Sequence, residues 1–180
     1  MSGKLIFVSG LSGSGKTTLV QKALETVDTL EVLLTYTTRP RRDGEQGSYE
    51  YVFVTEDEYI WMKKTSLKWD ETVFSGYKYA SETNKYIKDL NSGVNVIVSV
   101  TPNLDDIQQM ADIYAIKPVT IWINTPKEVA VARIKSDVLR SGRKEDETVK
   151  DDFDIIFEPT NVLANDLVSF VDLIRKITLT

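Results

Sequence analysis

Apolar residues along the chain fall into short continuous runs, and the stretches between them repeat at helical spacing. Residues 4–10, "KLIFVSG", form a β-branched and apolar run ending in glycine, as in a strand buried on both faces of a parallel sheet. Leu19, Val20 and Leu24 then predict a helix over 15–26, and "EVLLTYT" at 31–37 a second strand. Residues 39–81 are polar, aromatic and irregular, with a strand in "YVFVT" and a short helix in "EDEYIWMKK". "SETNKYIKDLNSG" predicts a helix capped by Ser81 and stopped by Gly93. "VNVIVSV" at 94–100 is a third core strand suited to the centre of a sheet. A helix around 104–114 and a fourth strand in "KPVTIWIN" follow. Thr125-Pro126-Lys127-Glu128 opens the next helix with a capping threonine, a first-turn proline and a glutamate that closes a capping box. "DIIF" at 154–157 is a fifth short strand, and "NVLANDLVSFVDLIRKI" a closing amphipathic helix.

Strands alternating with helices predict an α/β fold, a three-layer parallel sheet with right-handed crossovers. Two polar segments interrupt it. The expected organisation is one domain over 1–180, with a core of 1–36, 82–135 and 153–180 and the two polar segments at 37–81 and 136–152, which the resemblance given below implies are an inserted lobe and a short lid. A chain of 180 residues with 42% hydrophobic and 27% charged residues suits one such domain. The net charge of −5 offers nucleic acid no general attraction, so phosphate binding has to come from a local cluster. The chain has no cysteine and no histidine. That excludes disulfides, zinc–thiolate sites, cysteine nucleophiles, serine–histidine triads and histidine bases. What remains is catalysis by positioning and electrostatics, using Lys, Arg, carboxylates, backbone amides and a hard metal ion bound through oxygen. The run "LIFVSG" is far too short to span a membrane or to form a signal-peptide core. The expectation is a cytoplasmic monomer or homodimer acting on small molecules, with neither nucleic acid nor membrane as partner.

One motif carries specific chemistry. "GLSGSGKTT" satisfies G-x-x-x-x-G-K-[ST] between a predicted strand and a predicted helix. Glycines at 10, 13 and 15 let successive N–H groups turn inward on phosphate oxygens, and the helix adds its N-terminal dipole. Gly10, Ser12, Gly13, Ser14, Gly15, Lys16, Thr17 and Thr18 are the expected ATP site. Lys16 reaches the outer phosphates and the Thr17 hydroxyl can ligate Mg²⁺. The loop is silent on what receives the phosphoryl group.

A second cluster puts Arg39, Arg41 and Arg42 in "TTRPRRDGE", followed by "GSYEYVF". These stretches resemble the guanylate kinase segment TTR-x-x-R-x-G-E followed by Y-x-F, in register from Thr35 to Phe53. "SGYKYAS" at 75–81 more weakly resembles the family's G-N-Y-Y-G-[ST]. The resemblance implies a P-loop kinase core with an inserted lobe that binds a nucleoside monophosphate (NMP). In it, Arg39, Arg42, Tyr51 and Tyr79 hold the acceptor's 5′-phosphate, and Glu45 orders the arginines and the ribose side. Thr35, Asp70, Ser81 and Thr101 would face the base, with Asp70 where the family has glutamate and Glu71 one residue away in a shifted register. Arginine forks and tyrosine hydroxyls suit phosphate, which supports the assignment physically. Arg41 stands where the family often has proline and is expected to face solvent. "RIKSDVLRSGRKEDE" resembles the lid of such kinases, with Arg133 ahead of it and Arg140 and Arg143 as candidates to reach the transferring group. Lys16, Arg39, Arg133 and Arg143 form the expected catalytic set.

The chain departs from the family pattern in three respects. Ser99 and Thr101 stand where it commonly has an acidic pair, so both positions keep an oxygen and lose the charge. Asp152 replaces a further arginine, and Ala80 a glycine beside the acceptor tyrosine. The resemblance implies transfer of the γ-phosphoryl group of ATP, with Mg²⁺, to GMP or dGMP. Alternatives are another acceptor on the same fold (another or modified deoxynucleotide, or ribose 1,5-bisphosphate) and a non-catalytic module that binds protein ligands. A plain ATPase or GTPase would leave the arginine cluster unexplained.

Overall fold

Leu5, Ile6, Phe7 and Val8 are wholly buried because the strand they form is covered on both faces. The computed structural model describes residues 2–41, 45, 49–66, 69–74, 76–100, 104–134, 148–160 and 162–179. In it β1 (Leu5–Ser9) pairs in parallel with β7 (Asn95–Ser99) on one side and β8 (Val119–Ile123) on the other. Parallel β2 (Leu30–Val32) adds beyond β7, and parallel β9 (Ile155–Phe157) beyond β8. Alternate strand residues face opposite layers. Ile6, Val8, Ile97, Ile121 and Ile123 pack with α1 (Lys16–Thr26) and α6 (Leu163–Thr178) through Leu19, Val20, Phe170 and Ile174. Leu5, Phe7, Val96, Val98 and Trp122 pack on the other side against Tyr86 and Leu90 of α3 (Thr83–Asn91). Ile107 and Tyr114 of α4 (Leu104–Tyr114) and Ala130 of α5 (Lys127–Ile134) join the same layer. The predicted three-layer α/β core is therefore present.

The predicted strand over 31–37 is two strands in two sheets. Three consecutive amides explain the break: Leu33 N–H donates to Ile97 O in the core sheet at 2.9 Å, and Thr35 N–H to Glu50 O outside it at 2.9 Å. Between them, Leu34 N–H is taken by the Tyr86 hydroxyl at 2.8 Å, which ends the first ladder. The chain then enters a second sheet of β3 (Thr35–Thr37), β4 (Tyr51–Phe53), β5 (Trp69–Phe74) and β6 (Tyr77–Glu82), in the order β4-β3-β6-β5. β5 and β6 form an antiparallel hairpin that turns at Gly76, φ 80°. Helix α2 (Glu56–Thr65) crosses between β4 and β5 in sequence, closed by a capping box of Thr55 and Glu58.

Ser81 does not cap α3. Strand β6 runs through it to Glu82, its hydroxyl is buried against the Tyr114 hydroxyl at 3.3 Å, and the helix starts at Thr83 without a side-chain cap. Gly93 does stop α3: at φ 95° it lets Val94 N–H reach back to Asp89 O. A 3₁₀ turn at Thr148–Asp152 precedes β9. Arg140, Arg143 and most of the expected lid lie outside the described residues.

Buried Asn95 ties the entries of three strands together. Its Oδ1 accepts from Lys4 N–H at 2.9 Å, and its Nδ2 donates to the carbonyl and hydroxyl of Thr29 at 3.3 Å. Asn95→Ala leaves the Lys4 N–H without its acceptor, and a loss of about 1–3 kcal/mol is expected. Urea unfolding would show this as a lower midpoint at unchanged slope.

Candidate functional site

The glycine loop is shaped by backbone packed against backbone. Gly10, Gly13 and Gly15 have φ of 141°, 82° and 98°, a region that side chains disfavour. A Cβ at Gly13 would lie 2.3 Å from Ala130 O, and one at Gly10 2.8 Å from Ile123 O. The close approach seats α5 and the end of β8 directly against the loop. The Thr125 hydroxyl, expected as a helix cap, donates to Ser14 O at 2.8 Å and binds the start of α5 to the loop. Arg133 of α5 donates from Nη1 to Gly13 O at 3.2 Å. Gly15 is the N-cap of α1 and carries no side-chain cap, so the first-turn amides stay open toward the loop. Lys16 Nζ donates to Gly10 O at 2.6 Å and Leu11 O at 2.9 Å, which holds the ammonium within the cradle. The Ser14 hydroxyl is buried without a hydrogen-bond partner, Ser12 is half-buried, and Thr17 and Thr18 are exposed at the helix start.

The predicted acceptor residues come together on the second sheet. Arg39, only 6% exposed, makes a two-pronged pair with Glu45, Nη1 to Oε2 at 2.9 Å and Nη2 to Oε1 at 3.1 Å. Its guanidinium carbon lies 5.5 Å from the Tyr51 ring centroid and 5.1 Å from that of Phe53. Burial works against the charge of Arg39, and the Glu45 carboxylate outweighs it, so its pKa rises. The Tyr51 and Tyr79 rings meet edge to face at 6.4 Å. Burial pushes the Tyr51 hydroxyl up to about 12, so it stays a neutral donor at working pH. Arg41 is exposed as expected, yet it lies 4.8 Å over the Phe53 ring. Thr35 is half-buried in β3, and Asp70 of β5 stands opposite Ser81 of β6 in register. Glu71, the neighbour in the shifted register, is engaged by Lys63 of α2 at 3.1 Å. Arg42 and Thr101 lie outside the described residues.

Two residues with no assigned role in the sequence join the two clusters. The Tyr49 hydroxyl donates to Thr17 O on α1 at 2.6 Å and also lies 3.2 Å from Glu50 Oε1. The Ser99 hydroxyl, at the end of β7, donates to the same Glu50 oxygen. Glu50 is 9% exposed, and burial raises its pKa despite these hydrogen bonds and the field of Lys16. In the sequence the signal was slight: "YEYVF" places an acid between two aromatics, which reads equally well as a solvated turn.

Magnesium takes oxygen ligands, keeps several waters and is held jointly by one or two protein groups and phosphates. Among the described residues no group of three or more acidic side chains forms a closed metal cage. Exposed Thr17 beside Lys16, with Glu50 linked to its carbonyl through the Tyr49 hydroxyl, fits an ion that arrives on phosphates.

The chain was also compared with known proteins. A family model described as guanylate kinase matches residues 2–173. A guanylate kinase of Legionella pneumophila (strain Lens) is 33% identical over 99 residues, 55% of this chain and 47% of that protein. One from Desulfotalea psychrophila is 27% identical over 150 residues, 82% of this chain and 70% of that protein. The chain spans about half the length of several curated relatives it matches, 47% for two and 51% for a third. The crystal structure of guanylate kinase from Anaplasma phagocytophilum superposes with a TM-score of 0.68 at 16% identity, over 99% of this chain and 88% of that one. That likeness is one of fold.

Burial makes Glu50 a pH-dependent cost to the nucleotide-free protein. Its folded-state pKa lies above the unfolded value, so stability is highest while the group is protonated and falls as pH rises through the raised pKa. Glu50→Gln keeps an acceptor for both hydroxyls and removes the charge. The melting temperature of the variant should exceed wild type at pH 8, and the gain should vanish near pH 4; scanning calorimetry across that range reads it.

Proposed function

The chain belongs to the guanylate kinase family, and from that membership we propose that it is an ATP-dependent nucleoside monophosphate kinase that transfers the γ-phosphoryl group of ATP to GMP or dGMP. The observation that carries this reading is the adjacency of two phosphate-recognition sets. The glycine loop with Lys16 and the Arg39–Tyr51–Tyr79 cluster are joined by the 2.6 Å bond from Tyr49 to Thr17 O. Transfer between two phosphates needs alignment and charge neutralisation, without a covalent intermediate. A chain lacking histidine and cysteine can supply both.

In this mechanism Lys16 exchanges its loop carbonyls for the outer phosphate oxygens of ATP, and backbone amides of the glycine loop and the first turn of α1 cradle the rest. Arg133, already on Gly13 O, turns to the donor phosphates, with Arg143 joining from the lid. Arg39, Arg42, Tyr51 and Tyr79 fix the acceptor phosphate in line, and Glu45 keeps Arg39 aimed. Thr17 would hold the Mg²⁺ that accompanies ATP, and that ion would supply positive charge at the phosphate oxygens. Thr35, Ser81, Asp70 and Thr101 face the base, where a carboxylate at Asp70 accepts from the N1–H and N2 amino groups that adenine lacks. Residues 37–81 then form the acceptor lobe and 136–152 the lid of a cytoplasmic enzyme.

ADP release in the presence of ATP and Mg²⁺, measured against all ribo- and deoxynucleoside monophosphates and ribose 1,5-bisphosphate, tests the reading. Turnover confined to GMP and dGMP is expected. Preference for another acceptor would keep the kinase and remove the guanine assignment, and no turnover with any would sink both. Lys16→Ala should lower kcat by about 100- to 1,000-fold or more, the scale of losing one charge-stabilising donor. Arg39→Lys keeps the charge and loses the fork; it should raise the acceptor KM about 10-fold at unchanged ATP KM.

A further inference from the structure

A buried carboxylate is costly unless a positive charge meets it. Glu50 is 9% exposed, and one of its oxygens, Oε1, accepts from the Ser99 hydroxyl and lies 3.2 Å from the Tyr49 hydroxyl, whose proton goes to Thr17 O. Among the described residues no lysine or arginine forms an ion pair with it. Lys16 acts on it only as a field, its ammonium being held by Gly10 O and Leu11 O. The other charged group that bears on it, Glu45, repels it. Hydroxyl donors orient such a carboxylate and leave its charge standing.

The position of the charge is specific. Glu50 immediately precedes Tyr51 of the acceptor cluster. Its Oε1 lies 3.2 Å from the Tyr49 hydroxyl, which donates to the carbonyl of Thr17, an exposed residue at the start of α1. The carboxylate thus stands between donor loop and acceptor phosphate site, where the missing positive charge is one that a substrate carries in.

We infer that Glu50 is the acid of the donor metal site: its carboxylate accepts hydrogen bonds from water molecules on the divalent cation that enters with ATP. Tyr49 and Ser99 are positioning residues that aim it. An uncharged residue at the end of β7 is then in keeping with its task, since Ser99 holds the acid that faces the cation. This assignment rests on the reading of the glycine loop as an ATP site and is independent of which acceptor the enzyme takes.

The test uses Mn²⁺ in place of Mg²⁺, with ATP and no acceptor. Free Mn²⁺ is titrated by electron paramagnetic resonance into wild type, Glu50→Gln and Glu50→Asp at saturating ATP, and ATP affinity is measured separately in EDTA. Glu50→Gln should weaken Mn²⁺ binding by about 10- to 100-fold, the effect of losing a partner of a metal's ligands. Its metal-free ATP affinity should be equal or tighter, because a negative charge near the phosphates is gone. Glu50→Asp should retain most of the Mn²⁺ affinity. Unchanged Mn²⁺ affinity in Glu50→Gln overturns the assignment, and so does a parallel loss of metal-free ATP affinity, which marks a structural role. A wild type that binds no ATP in either condition refutes the donor loop itself, a different failure from ATP binding that is indifferent to Glu50.

Discussion

The site depends on how closely backbone can approach backbone at the glycine loop. Ala130 O comes so near Gly13 that a Cβ there would sit 2.3 Å away, and Ile123 O leaves 2.8 Å at Gly10. Any side chain at these positions would push α5 and β8 off the loop. With hydrogen as the only substituent, α5 lies against it, Thr125 reaches Ser14 O and Arg133 reaches Gly13 O. The loop is therefore the hub on which β1, β8, α1 and α5 converge. The Tyr49 bond to Thr17 O adds the acceptor segment as a fifth spoke. Loop geometry and core packing share the same few atoms, so neither can be altered alone.

Around that hub the cations are held in two different ways. Lys16 sits on two neutral carbonyls, which are weaker partners than phosphate oxygens. Arg39 is fixed more firmly, by a carboxylate and two aromatic rings, and its fork is oriented before anything binds. Side-chain entropy that a ligand would otherwise have to remove is already removed in folding. Glu50 is the exception to this balance. It has donors and no counter-charge among the described residues, and the raised pKa reflects that.

Much of this arrangement was legible in the sequence, and the parts that were not share a cause. The core strands could be read because a parallel sheet covered on both faces demands continuous apolar runs, as in Leu5–Val8 and Val96–Val98. The loop could be read because its turn needs glycine at fixed places. The hairpin of β5 and β6 was not legible, since "WDETVF" and "YKYASE" carry polar residues on both faces of a thin lobe and lack period-two alternation. Nor was the sheet change at Leu33–Thr35, which turns on one hydroxyl, that of Tyr86, contributed from 52 residues away. Glu50 escaped for the same reason: the hydroxyl that donates to it is that of Ser99, 49 residues distant. Local chemistry is written locally, whereas long-range side-chain bonds appear only once the chain is folded.

The placement of the acid has a mechanical consequence. A carboxylate at position 99 would belong to β7, fixed by its ladder to β1 and indifferent to the acceptor lobe. Carried by Glu50, it belongs to the segment that enters β4, whose carbonyl accepts from Thr35 N–H of β3 at 2.9 Å. Glu50 and Tyr51 are neighbours on that stretch, so whatever shifts one shifts the backbone of the other. The Ser99 hydroxyl on Glu50 and the Tyr49 hydroxyl on Thr17 O tie the same stretch to the core at two points, the end of β7 and the start of α1.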